Sequence, residues 1–276
     1  MQKQSIKIQI ALIGALLIYL YWDALAWMIG QWENNPNYGH GWLIPLAMGY
    51  MIFKKKDVFK ADYKSTLKDL WLVFAGVVIF LLGARIEFIQ ITLFSLLVIA
   101  LGLVYFYKGK TAFKEMLFPV GYFIFGIPAP YYLESFTVPL KSMATVVSVG
   151  FMQMAGITIA RQGNIIYLPN YTLEVADACS GLKSLVMVTA VGALYAYISQ
   201  PTLKRKWVLF LSSIPIAVIA NIARIIMVGI LASIFGEKLA FDFVHDFSGI
   251  FVFIIAGVCL ALTGVFMEWI IKKRVG

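Results

Sequence analysis

Three residues of this sequence carry side chains that together can break a peptide bond: a thiol at Cys179, a guanidinium at Arg224 and an imidazole at His245. Cys179 stands in Asp177-Ala178-Cys179-Ser180-Gly181, at the head of an apolar run. The first turn of a helix there offers unpaired backbone N–H groups and the positive end of the dipole, both of which favour a thiolate. Lys183 follows at i+4 and can share that face, while Asp177 adds opposing negative charge, so spacing leaves the sign of the net effect open. Most lone cysteines in apolar runs are inert packing residues, and Cys179 needs partners before it reads as a nucleophile.

Arg224 supplies one. It lies inside the run Trp207–Ile234, where inserting an arginine costs about 2.5–3.5 kcal/mol and marks a functional candidate. The ordinary alternative is an arginine that snorkels or sits in a structural ion pair. Asn221, at i−3, shares its face and can orient it or line the same cavity. The chain has two histidines, His40 in Tyr38-Gly39-His40-Gly41-Trp42 and His245 in Val244-His245-Asp246. An imidazole can take a proton from a thiol and return it to a leaving amine near neutral pH, although either histidine alone reads as readily as an interfacial residue. Cys259, in the middle of the last apolar run, is assigned to packing. Two cysteines are too few for a disulfide framework and wrongly spaced for zinc, so no metal and no cofactor are expected.

Membrane helices must position these groups. With 61% hydrophobic and 13% charged residues in a chain of 276, and a mean hydropathy of +0.86, there is more apolar surface than one soluble core can cover. The net charge of +9 sits in short clusters between apolar runs, where it reads as a topology signal and not as a nucleic-acid surface. Runs at Ile8–Ile29, Gly41–Phe53, Leu70–Gly83, Phe88–Tyr107, Ala112–Ile127, Ser180–Ile198, Trp207–Ile234 and Gly249–Ile271 are the expected spans. They place the clusters around Lys3, Lys54–Lys68, Lys108–Lys114, Lys204–Lys206 and Lys272–Arg274 in the cytoplasm, with both termini inside. From Trp207 to Arg224 a helix rises about 25 Å in a core about 30 Å thick, which puts Arg224 near the outer face, the level expected for Cys179 and both histidines.

The segment Leu133–Gly156 has two readings. As an amphipathic helix on the outer surface it carries Phe136, Leu140, Met143, Val147 and Met154 on one side, with Glu134, Lys141 and Gln153 as polar breaks. Alternatively Ala112–Ile127, interrupted by Pro119, is re-entrant and Leu133–Gly156 crosses, which preserves the same parity. Ile157–Val175 is β-branched and aromatic, punctuated by Gly163-Asn164 and Pro169-Asn170, and predicts a small hairpin leading into Cys179. Lys3, Lys7 and Ala24-Leu25-Ala26 loosely match a secretory signal, but the apolar stretch is long and aromatic-rich and is read as a retained first span. The expected fold is an all-α polytopic membrane protein, a single domain over residues 1–276. It has about eight transmembrane helices, a small extracytoplasmic β-hairpin and an interfacial amphipathic helix.

Ala178-Cys179-Ser180-Gly181-Leu182-Lys183-Ser184, Asn221-Ile222-Ala223-Arg224, and His245 followed by Gly249 resemble the exosortase/archaeosortase family. His40-Gly41-Trp42-Leu43-Ile44-Pro45 and Gly163-Asn164-Ile165-Ile166-Tyr167-Leu168-Pro169 extend the likeness from about the second span to the last. The resemblance implies a cysteine protease or transpeptidase with Cys179 as nucleophile and Arg224 and His245 as its catalytic partners. His40, Lys183 and Asn221 are then supporting or substrate-positioning residues. It also implies exported partner proteins with a C-terminal sorting tail, PEP-CTERM-like: a short motif, a membrane helix and a basic end. The histidine at 245, where the archaeal branch carries arginine, points to a bacterial inner membrane, with the active site on the extracytoplasmic face. Two readings of other classes stand beside this one. One is a transporter or channel-like component of envelope polysaccharide export, with Arg224 lining a polar path. The other is a structural scaffold in which Arg224 pairs with a carboxylate. The tail motif, the acyl acceptor (water or an amine) and the oligomeric state are not encoded in any pattern above.

Overall fold

The computed structural model describes residues 2–35, 37–61, 63–130, 133–168, 171–174, 181–236 and 248–275. The chain is mostly helical and divides into two compact units, Met1–Pro130 and Tyr131–Gly276.

In the first unit α1 (Gln2–Leu20) and α2 (Trp22–Asn34) are followed by a 3-10 turn at Gly39–Trp42, α3 (Leu43–Lys54), α4 (Trp71–Arg85) and α5 (Ile89–Gly121). The first expected span, Ile8–Ile29, is therefore not one helix, because α1 and α2 meet at 67°. The break falls at Tyr21, which has left helical geometry (φ −99°, ψ 7°) and whose fully buried hydroxyl shares a hydrogen bond with Ser95 Oγ on α5. A tyrosine O–H in an apolar interior needs such a partner.

α5 looks like one long helix but works as two. With the 3-10 turn that follows, it makes an apolar helix of 38 residues, Ile89–Gly126, which fully extended would be nearly twice the ~30 Å hydrocarbon core. Gly109 interrupts it with φ 75° and ψ −174°, a conformation open to glycine and strained for other residues. Leu97, Leu101, Met116 and Val120 share one core cluster and fall symmetrically about Gly109, as do the Tyr105 and Phe113 rings, 5.7 Å apart. The limbs on either side of Gly109 thus fold back on each other as a helical hairpin, a turn that suits Ala112–Ile127 as a crossing and equally as the re-entrant segment of the alternative reading. Close to the turn, Lys55 after α3 pairs with Glu115. A reciprocal capping box between Thr66 and Asp69 starts the 3-10 turn leading into α4.

The second unit holds α6 (Leu133–Met154), the strands β1 (Ala160–Gln162), β2 (Ile165–Leu168) and β3 (Tyr171–Glu174), α7 (Gly181–Ser199), α8 (Leu203–Phe235) and α9 (Ser248–Val275). The expected hairpin is a three-stranded antiparallel meander in the order β1-β2-β3, with Ile166 opposite Arg161 on one side and Leu173 on the other. Ile166, Leu168 and Leu173 bury one face of it against Val149 and Met152 of α6 and Ile225, Val228 and Ala232 of α8. The N-terminal half of α8 packs with α7 and α9 through Val188, Leu209, Ala217, Val252 and Leu260, with Cys259 partly buried at the margin.

α6 is not a helix lying flat across an outer surface. It packs lengthwise along α8 and in the same direction: Ser148 Oγ donates to the Ile222 carbonyl at 3.3 Å, and Met152 meets α8 at Gly229. Its packed face is Ala144, Thr145, Ser148, Val149 and Met152, while Met143 and Met154 of the expected stripe are exposed. That inversion has a physical cause. Lipid is as apolar as methionine, so close packing between membrane helices falls to small and hydroxyl side chains.

Helices stand at all eight expected positions. Among the described residues four helical runs are long and apolar enough to cross a bilayer, namely Leu67–Arg85, Ile89–Gly126, Leu203–Phe235 and Gly249–Ile270, and five if α1 and α2 count as one broken span.

Candidate active site

α8 is a helix of 33 residues whose inward face runs through Leu209, Ser213, Ile216, Ala217, Ala220, Asn221, Arg224, Ile225 and Val228. This i, i+3, i+4 stripe is apolar or small except at two positions, and those two are joined. Arg224 Nη2 donates to Asn221 Oδ1 at 2.8 Å, and both residues are only 5% exposed. The pairing that helix geometry allows at i−3 is made. Arg224 Nε is buried with no hydrogen-bond partner among the described residues. A guanidinium has five N–H donors and no acceptor, so this one holds unspent capacity for an anion in a medium where charge–charge interaction is strong.

One helical turn back, toward the N-terminal end of α8, a cleft opens between α6, α7 and α8. It has about 20 Å³ of room and is walled by Leu140, Lys141, Ala144, Leu185, Ala217, Val218 and Asn221. Asn221 therefore faces both the cleft and the arginine. Lys141 has no ion pair among the described residues. In the sequence Lys141 reads only as a polar break. The signal that marks it is the one that marked Arg224, an ionisable side chain in an apolar helix.

The other expected site residues are placed as follows. Cys179 and His245 lie outside the described residues, in the segments just before α7 and α9. Lys183 is in the first turn of α7, but its side chain is not described. His40 is buried in the 3-10 turn of the first unit, its ring centroid 6.4 Å from that of Tyr38. Among the described residues no group of acidic, histidine or cysteine side chains is arranged to hold a metal ion.

No curated protein and no solved structure gives a significant match to the chain. The family model for the transmembrane exosortases matches residues 32–262, which cover most of the sequence, extend through both compact units and include Cys179, Arg224 and His245. The chain belongs to the transmembrane exosortase family.

Proposed function

We propose that this membrane-embedded sorting enzyme is a cysteine endopeptidase or transpeptidase that cleaves the C-terminal sorting tail of exported proteins at the outer face of a bacterial inner membrane. The observation that carries the reading is Arg224: a guanidinium buried in α8, oriented by Asn221, with Nε unspent. Such a group stabilises a thiolate or the oxyanion of a tetrahedral intermediate far better in an apolar site than in water. The chemistry needs two further groups, and the likeness of the segments around Cys179 and His245 to the family's motifs supports giving those two residues the roles. The Cys179 thiolate attacks the scissile carbonyl and forms a thioester. His245 gives its proton to the departing amine, and an acceptor amine or water then takes the acyl group and restores the thiol. Eight crossings with both termini inside would bring the tail's basic end to the cytoplasm and its motif to the outer face.

The test is conversion of a tail-bearing exported protein in cells, normalised to the membrane level of each variant. Cys179→Ser and Cys179→Ala should abolish conversion, because a hydroxyl is hardly ionised at neutral pH and a methyl not at all. Cys259→Ala should convert normally. His245→Ala should lose activity where His40→Ala is tolerated, and the reverse would move the base to His40. Parental conversion by Cys179→Ala would end the cysteine mechanism.

A further inference from the structure

We propose that Lys141 and Asn221 form a carboxylate-binding subsite in the cleft between α6, α7 and α8, and that it positions an acidic side chain of the substrate beside Arg224. The inference rests on the proteolytic reading above and names a substrate feature of that site. Three observations carry it. Lys141 is a half-buried lysine in a cleft whose other walls are apolar except for Asn221, and among the described residues no carboxylate pairs with it. Such a charge within a helix bundle is expensive unless an anion meets it. Asn221 Oδ1 accepts from Arg224, and the amide NH₂ on the same side chain adds N–H donors. Among the described residues the polar side-chain groups of the cleft are thus an ammonium and an amide whose oxygen is engaged by Arg224, one turn along α8, so donors and positive charge predominate.

Size selects among anions. About 20 Å³ admits a water or the head of a carboxylate. A lipid phosphodiester carrying its glycerol is bulkier than a carboxylate and fits that narrow cleft less closely. The wall also reaches Leu185, in the second turn of α7, close along the chain to the Cys179 segment. A substrate held here by one acidic side chain would lie alongside the residues proposed to react with it. Lys141 acts in this scheme as a positioning residue, through substrate binding and not on the scissile bond.

The experiment uses the purified full chain in vesicles and an exported tail-bearing protein. Each Asp or Glu that precedes the tail's membrane helix is replaced in turn by Asn or Gln. One replacement should slow processing about tenfold or more, the scale of a charge-assisted hydrogen bond, mainly through KM. Lys141→Met should slow the unaltered tail by a similar factor, and combining it with that tail replacement should add little. Lys141→Arg should retain most of the rate, and Lys141→Glu should prefer a tail carrying Lys at the sensitive position. Additive losses, a parental rate in Lys141→Met, or a tail with no sensitive acidic residue would overturn the subsite. A Lys141→Met defect that follows the anionic lipid content of the vesicles instead of the tail's carboxylate would overturn it in favour of a lipid headgroup. Cys179→Ala in the same vesicles judges the cysteine mechanism separately, since coupling between Lys141 and a tail carboxylate is readable whichever residue is the nucleophile.

Discussion

A guanidinium inside an apolar bundle is defined by what it can still bind once its internal partners are counted. Arg224 spends Nη2 on Asn221 and keeps Nε in reserve, so replacing either residue has a predictable sign. Arg224→Lys keeps the charge but loses the planar fork, and conversion of a tail-bearing substrate should fall well below parental at equal membrane levels, with Arg224→Ala lower still. Normal conversion by both would make the arginine structural. Asn221→Leu leaves a second guanidinium donor unpaired, a change worth about 1.5–3 kcal/mol, so activity should drop roughly ten- to a hundredfold while the protein still accumulates. Equal loss of protein and activity would instead assign Asn221 to folding. The Arg224–Asn221 pair was legible in the sequence because an ionisable residue in a long apolar run is conspicuous and the i−3 relation fixes its neighbour. The cleft lined by Lys141 was not, since it exists only where three helices from distant parts of the chain meet.

At the scale of elements, the contact between α6 and α8 depends on small side chains. Gly229 is the tightest point, where a Cβ would run into the Met152 sulfur. Gly229→Leu should overpack that contact by about 1–3 kcal/mol and lower the thermal midpoint in detergent, and Met152→Ala should restore part of the loss. If Gly229→Leu left the midpoint unchanged, the lengthwise packing of α6 would be wrong. Helix positions were readable from runs of apolar residues, and the sheet from β-branched residues and its glycine turn. The break at Tyr21 and the packed side of α6 were not. Amphipathic reasoning assumes that large apolar groups face inward, whereas in lipid Ala144, Thr145 and Ser148 turn to the neighbouring helix and Met143 and Met154 turn away.

For the molecule as a whole, the arrangement of crossings is testable without any enzyme assay. Reporter fusions after Phe53, Tyr107, Ile198 and Ile271 should report cytoplasm, and fusions near Asn37, Asn170 and Asp242 the opposite side. An inside signal near Asn170 would remove the outer-face active site. The hairpin centred on Gly109 adds a consequence for biosynthesis. While the chain is emerging from the ribosome, Ile89–Lys108 has no returning limb, and Leu97 and Leu101 lack the cover of Met116 and Val120 until those residues arrive. The second limb, interrupted by Glu115 and Pro119, is a weak inserter by itself and gains its place by docking on the first. The two should therefore enter as one unit. Pulling force on an arrested nascent chain should show a single late event for this region, and Gly109→Ala, strained at φ 75° by about 1–2 kcal/mol, should weaken or delay it. Two separate pulling events, indifferent to Gly109→Ala, would mean that each limb enters the bilayer on its own.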